Sequence, residues 1–207
     1  MKVIQVASKV CDDLIFNVHY AHRKPSISYA YGLYDGNELI GCCTYGTPAS
    51  STLLRGVCGD EYKSQVKELN RLVLKYNRKN EASYLIAKSL SLLPRPLIIV
   101  SYADTSQGHE GVVYQATNFL YTGLSSKFRD PKVRGLEHQH HATYAHGMTN
   151  AQLKAKYGDR LYFTERPRKH RYIMFLGSKV ERKRMIKVLR YKVLPYPKQL
   201  STCKDID

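Results

Sequence analysis

The sequence predicts a layered α/β domain, and three observations carry that prediction. Residues 97–102 (Leu-Ile-Ile-Val-Ser-Tyr) form a short apolar run of the sort that becomes a strand buried on both faces. Helical spacing precedes and follows it, which gives the strand and helix alternation of a sheet covered by helices. Two Tyr, Ile and Leu-rich runs flank Asp35-Gly36-Asn37, a hairpin signal because Gly and Asn tolerate positive φ.

Taken in order, Ser8 precedes Val10, Leu14 and Val18, so residues 9–20 read as a capped helix. Residues 27–34 and 38–45 are the hairpin strands. Residues 47–59, rich in Gly, Ser and Thr, read as a loop. Residues 67–76 alternate well enough for a strand, and pattern alone leaves a helix open. Asn80 caps a helix over 81–92, ended by Pro94. After the buried strand, a polar loop over 103–108 leads to a helix over 109–121 closed by Gly123. Residues 127–147 have no period and read as a long functional loop. Thr149 opens a short helix to Tyr157, residues 169–176 read as a strand, and Ser178 with Glu181 forms a capping box for a basic helix over 179–189. No repeat or linker divides the chain, so residues 1–207 read as one domain.

Composition narrows the function. At 207 residues with 43% apolar content the chain can bury about 70% of its unfolded surface, so disorder is excluded as its main state. No apolar run approaches the roughly 20 residues of a bilayer span, so no membrane association is expected. Five cysteines, at 11, 42, 43, 58 and 203, form no Cys-x-x-Cys pair and read as reduced thiols. The balance of 33 Lys+Arg against 17 Asp+Glu gives a net charge of +16. Residues 166–198 hold twelve Lys/Arg against Glu181 alone, interleaved with Tyr172, Phe175, Tyr191 and Tyr196. Cations release counterions from phosphates and aromatic rings stack on bases, so this segment points to nucleic acid. Lys169, His170, Arg171, Arg182, Lys183 and Arg184 are its candidate DNA contacts.

No phosphate-binding loop, dinucleotide fingerprint, zincin motif or nucleophile elbow is present, which excludes those chemistries. The densest polar cluster runs from Ser101-Tyr102-Ala103-Asp104 through His109 to Tyr114. It follows the buried strand, and ligands in open α/β sheets bind at the carboxyl ends of strands. Tyr114 lies one helical turn beyond Glu110, so its phenol can face back to the strand end. Arg71 interrupts an apolar strand and needs a partner, either Asp104, a substrate group or an ordinary ion pair. Arg78-Lys79-Asn80, followed by Ser83, marks a helix start that suits an anion. His138, His140, His141 and His146 have metal-like spacing but only Glu137 nearby, and read as a loop touching nucleic acid.

The combination of Glu68-Leu69-Asn70-Arg71-Leu72, Ser83, Ser101-Tyr102-Ala103-Asp104, Gly108-His109-x-Gly111-x-x-Tyr114-x-Ala116, Lys169-His170-Arg171-Tyr172 and Leu194-Pro195-Tyr196-Pro197-Lys198 resembles the Mom-type DNA-modification proteins of bacteriophages. The resemblance covers about residues 25–198. It implies a GNAT-like fold, a mixed central sheet flanked by helices with a basic C-terminal extension over 166–198. It also implies a transferase that adds a carbamoylmethyl-type group to the exocyclic amine of adenine in double-stranded DNA, protecting phage DNA from restriction in the cytoplasm of the infected host. Asp104, Tyr114, Arg71 and Ser83 are carried over as catalytic, with Ser101, Tyr102, His109 and Tyr121 toward the substrate. Residues 75–80 lack the glycines with which ordinary acetyltransferases hold the coenzyme A pyrophosphate. The donor is therefore open: acetyl-CoA, another activated acyl donor, or chemistry assisted by iron. The oligomeric state is open too. Two alternative readings stand beside this one, an ordinary N-acetyltransferase acting on a small molecule or protein, and a non-catalytic nucleic-acid-binding protein.

Overall fold

The computed structural model describes residues 1–139 and 141–197. His140, Lys198 and Cys203 lie outside the described residues. Seven strands form one sheet in the order β1 (Lys2–Gln5), β2 (Tyr29–Asp35), β3 (Glu38–Gly46), β4 (Val66–Leu74), β5 (Leu97–Asp104), β9 (Lys169–Leu176) and β6 (Leu120–Leu124). All neighbours are antiparallel except β4 and β5, which run parallel. A second sheet is the ribbon of β7 (Phe128–Val133) and β8 (Leu161–Arg166).

Helices cover both faces, as the alternation predicts. On one face α2 (Glu81–Leu92) buries Leu85, Ile86 and Leu90 against Tyr31, Tyr45, Leu69 and Ile99, together with α3 (Val112–Ala116). On the other, α1 (Ser51–Cys58) and α6 (Lys179–Lys187) cover Val66, Ile98, Val100, Ile173 and Phe175. Beside them a 3-10 turn at Ser8–Cys11 and a π turn at Leu14–Val18 pack Cys11, Leu14 and Ile15 on Cys42 and Val73. Among the described residues no helix is long and apolar enough to cross a membrane.

Several elements correct the sequence reading. The segment expected as a loop over 47–59 contains α1: the Ser50 side chain accepts the Leu53 amide, and Val57 and Cys58 reach the core. The helix expected over 109–121 shrinks to α3, because left-handed residues bracket it, Gly111 at φ 77° and Asn118 at φ 62°. The chain then enters β6. The expected loop over 127–147 carries β7 and α4 (His141–Ala145), and the helix expected over 9–20 is two separate non-α turns. The helix at 81–92 forms, but without the expected cap: Asn80 is left-handed at φ 67° and its side chain makes no cap bond. The capped helices α5 (Asn150–Tyr157) and α6 and the strand at 169–176 form as expected, and the strand expected at 97–102 runs on to Asp104.

Residues 169–176 of the basic segment are an inner strand of the sheet, between β5 and β6. After α6 the chain straps the exposed edge of β6: the Leu194 amide donates to the Tyr121 carbonyl at 2.9 Å, and the Tyr196 hydroxyl donates to the Phe119 carbonyl at 2.9 Å. This covers an edge that would otherwise offer free backbone groups to another chain.

Gly111 sets the position of α3. A Cβ there would stand 2.3 Å from the Tyr172 ring, on a backbone already left-handed. Gly111→Ala is expected to destabilise the fold by about 2–4 kcal/mol, the sum of a left-handed non-glycine and an overpacked contact. Denaturant unfolding checks this, and an unchanged midpoint contradicts it.

Candidate active site

The parallel strands β4 and β5 are hydrogen-bonded only from Val66–Leu69 to Ile98–Ser101. Beyond that point β4 continues to Leu74 and β5 to Asp104 without a ladder between them. A bulge drives the parting. On β3, Tyr45 faces Leu69 while Thr44 faces Arg71, so Asn70 is an extra residue. Its side chain is pinned on both sides: Thr44 Oγ1 donates to Oδ1 at 2.6 Å, and Nδ2 donates to the Ser26 carbonyl at 2.8 Å.

The gap opens into a cavity of about 700 Å³. Its walls are residues 69–74 of β4, Tyr102 and Ala103 of β5, the loop 107–111, residues 112–114 of α3, and His19 and Tyr20 beyond the π turn. Four of the residues singled out in the sequence line it together: Arg71, Tyr102, His109 and Tyr114. Tyr114 is buried, and burial pushes its phenol up to about 12 against the opposing effect of the Ser101 hydroxyl. It therefore keeps its proton at neutral pH and can donate a hydrogen bond. Ser101, fully buried, donates to the Leu69 carbonyl at 3.2 Å and so braces the last rung before the strands part. Burial likewise raises the Tyr102 phenol to about 12, with Arg171 opposing.

Arg71 does not meet Asp104. Its Nε and Nη2 donate to the Arg23 carbonyl at 3.2 and 2.6 Å and its Nη1 to the Asn70 carbonyl at 2.6 Å, so it ties residue 23 to the cleft wall. Asp104 pairs with Lys169 instead, Oδ2 to Nζ at 2.8 Å. Its Oδ1 accepts the Ser106 amide at 3.0 Å and hydroxyl at 2.7 Å. Burial works to raise the Asp104 carboxyl, but the bonds from Lys169 and Ser106 outweigh it and hold the group below the usual range. Asp104 and Lys169 sit at the rim, on paired residues of β5 and β9, rather than in the cavity wall.

Two residues stand elsewhere. Ser83 Oγ donates to the Asn80 carbonyl at 3.1 Å within the first turn of α2, outside the cavity wall. Tyr121 is buried, with its hydroxyl against His170 Nδ1 at 2.8 Å. The candidate DNA contacts divide in the same way. Arg171 lies 3.5 Å from the Tyr191 ring centre and donates to Thr122, whereas Arg182, Lys183 and Arg184 project from α6.

Four further groups at or near the cleft are not singled out by the sequence pattern. Glu68 is held above the usual carboxylate range by burial, with Lys169 and Arg71 opposing; like Arg71, it is a charge inside a strand, and that signal is available in the sequence. His19 is pushed down to about 4, first by burial and then by Arg71, so it stays neutral. Tyr20 stacks on His19 and meets His109 edge-on at 6.3 Å. Glu110 lines the cavity, and its Oε2 is buried without a hydrogen-bond partner among the described residues.

The start of α2 does not fit a pyrophosphate. Glu81, 1% exposed, places its own carboxylate there, accepting the Arg78 amide at 2.7 Å and Arg78 Nε at 2.6 Å. The anion-binding position is filled from within the chain by a carboxylate that Arg78 already pairs, so a pyrophosphate would have to displace it. Among the described residues no three His, Cys, Asp or Glu side chains are grouped to hold a metal ion.

Solved structures to which this chain is similar include acetyltransferases. One from Bacillus subtilis, in complex with CoA, has a TM-score of 0.48 and 13% identity, over 85% of this chain and 99% of that one. A GNAT-family acetyltransferase from Bacillus cereus has a TM-score of 0.44 and 12% identity, over 85% and 97%. The chain belongs to the Mom protein family, whose model matches residues 1–198. It is 27% identical to the methylcarbamoylase mom of Escherichia phage Mu, over 96% of this chain and 84% of that protein.

Lys169→Met is expected to raise the Asp104 pKa toward its ordinary value of 3.8. Because the folded value is depressed, this carboxylate contributes stability above the unfolded pKa, and that stability is lost as pH falls through the folded pKa. Carboxyl NMR titration reads the shift, and an Asp104 titration unmoved by Lys169→Met contradicts the assignment.

Proposed function

We propose that this protein is a phage DNA-modification transferase that adds a carbamoylmethyl-type group to the exocyclic amine of adenine in double-stranded DNA, in the cytoplasm of the infected host, and so blocks restriction. Family membership supports the coarse activity. The finer reading rests on the cleft where β4 and β5 part. It joins Arg71, Tyr102, His109 and Tyr114 in a volume of about 700 Å³, suited to a nucleobase and the group transferred to it.

The adenine amine is a weak nucleophile because its lone pair is delocalised into the ring. In a duplex it is also paired and stacked, so the base must be extruded at a cost of a few kcal/mol. Tyr102 and Tyr20 offer faces on which an extruded ring can stack. Asp104, ionised and held at the rim by Lys169, accepts a hydrogen bond from the amine and fixes its direction. Glu68, raised by burial, is the better reservoir for the proton the amine loses. The new bond joins the amine nitrogen to the methylene carbon of the carbamoylmethyl group while that carbon's bond to the donor's leaving group breaks, and Tyr114 donates a hydrogen bond to the departing atom, where negative charge grows. Arg71 braces the wall against which the donor lies. Because α2 begins on its own carboxylate, coenzyme A has no pyrophosphate seat there.

Restriction of plasmid DNA tests the reading. Plasmid from cells expressing the chain should resist endonucleases whose sites contain the modified adenine. Tyr114→Phe should lower modification by about 10²–10³, the usual loss of one aligned donor. Asp104→Ala should leave the plasmid fully cut while duplex affinity is unchanged. Equal loss of modification and affinity contradicts the role given to Asp104.

A further inference from the structure

Residues 125–168 leave the sheet between its neighbouring strands β6 and β9 and then return. They form an arm, the ribbon β7–β8 with α4 and α5 between its strands, and hold nine Lys/Arg against four Asp/Glu. The arm rises beside the cleft. Asp104, the last residue of β5, pairs with Lys169, the first of β9, and Thr105 Oγ1 donates to the Arg168 carbonyl at 2.6 Å. The chain from Thr105 continues directly into the loop 107–111 that walls the cavity. By contrast α6 starts beyond Leu176, which pairs with Leu97 at the opposite end of β5.

At the root of the arm is a second cavity of about 470 Å³, lined by Lys127, Phe128, Arg129, Glu165, Arg166 and Arg168. Four cations face one carboxylate. Arg166 is neutralised by Asp130, and Arg168 donates to the Ser125 and Leu124 carbonyls. Among the described residues the Lys127 and Arg129 side chains make no ion pair or hydrogen bond, although both are exposed. Phe128 is 58% exposed, with the Arg166 guanidinium 5.7 Å from its ring centre. A concave surface carrying two unpaired cations, Lys127 and Arg129, beside an exposed ring is complementary to a phosphodiester chain with bases or sugars beside it.

We infer that the groove at the root of this arm grips duplex DNA next to the base presented to the cleft. Lys127 and Arg129 contact phosphates, and Phe128 packs on the adjoining sugar or base. The inference rests on the reading of DNA as the substrate and adds which surface holds it. The arm's root, not the α6 cluster of Arg182, Lys183 and Arg184, carries the main contact.

Fluorescence anisotropy with a labelled duplex oligonucleotide, across a range of salt concentrations, tests it. Lys127→Ala with Arg129→Ala should reduce the slope of log affinity against log salt by about two, one for each phosphate no longer neutralised. Phe128→Ala should weaken binding about tenfold at one salt concentration with the slope unchanged. A triple alanine variant at 182, 183 and 184 should keep the wild-type slope. All substituted side chains are exposed, and thermal melting verifies that each variant is folded. If wild-type protein binds duplex DNA but the arm variants match it, or the α6 variant takes the loss instead, the inference is overturned. If the wild-type protein shows no salt-dependent duplex binding, the reading of DNA as substrate fails with it.

Discussion

The end of one backbone ladder governs this molecule. Parallel strands normally stay paired because each unpaired N–H and C=O left away from water costs free energy. Here the ladder between β4 and β5 stops at Leu69 and Ser101, and the extra residue Asn70 turns β4 away. The bulge persists because both polar ends of the Asn70 side chain are bonded, to Thr44 and to Ser26. The edge of β4 released in this way becomes a cleft wall. Ser101 braces the last rung, and α3, placed by the left-handed Gly111 against the Tyr172 ring, brings Tyr114 to the floor.

The same local geometry sorts the titratable groups. Asp104 and Glu68 are carboxylates near one cation, Lys169, yet their environments push them apart: hydrogen bonds hold Asp104 low, and burial holds Glu68 high. Tyr114 keeps its proton and His19 stays without a second one. Groups whose pKa values diverge by environment take different roles in proton transfer. Under the proposed function, Asp104, Glu68 and Tyr114 would serve as acceptor, proton reservoir and donor respectively.

Much of this is legible in the sequence where local signals agree with tertiary packing. The Asp35-Gly36 turn, the Ser178–Glu181 capping box and the apolar run at 97–102 give their elements directly. Where burial comes from long-range packing, local pattern misleads. The Ser/Thr-rich stretch before Gly59 folds as α1 because Leu53, Leu54 and Val57 meet β5 and β9. Residues 127–147 of the arm read as a loop because β7 mixes Arg129, Asp130, Pro131 and Lys132, with no clean alternation. Tyr102, His109 and Tyr114 meet in one cavity, as their clustering suggests, and Arg71 joins them from β4, while Ser83 and Tyr121 are held elsewhere by hydrogen bonds to Asn80 and His170. His19 and Tyr20 reach the cleft from beyond the π turn, a juxtaposition that no spacing in the chain encodes.

If this cleft builds a modified adenine in DNA, the product is present in the DNA of any cell that makes the protein. Mass spectrometry of nucleosides from plasmid DNA, isolated from cells expressing the intact chain, should then show a deoxyadenosine species heavier by one carbamoylmethyl group. Plasmid containing only ordinary deoxyadenosine, from cells in which the protein is abundant and folded, would contradict it.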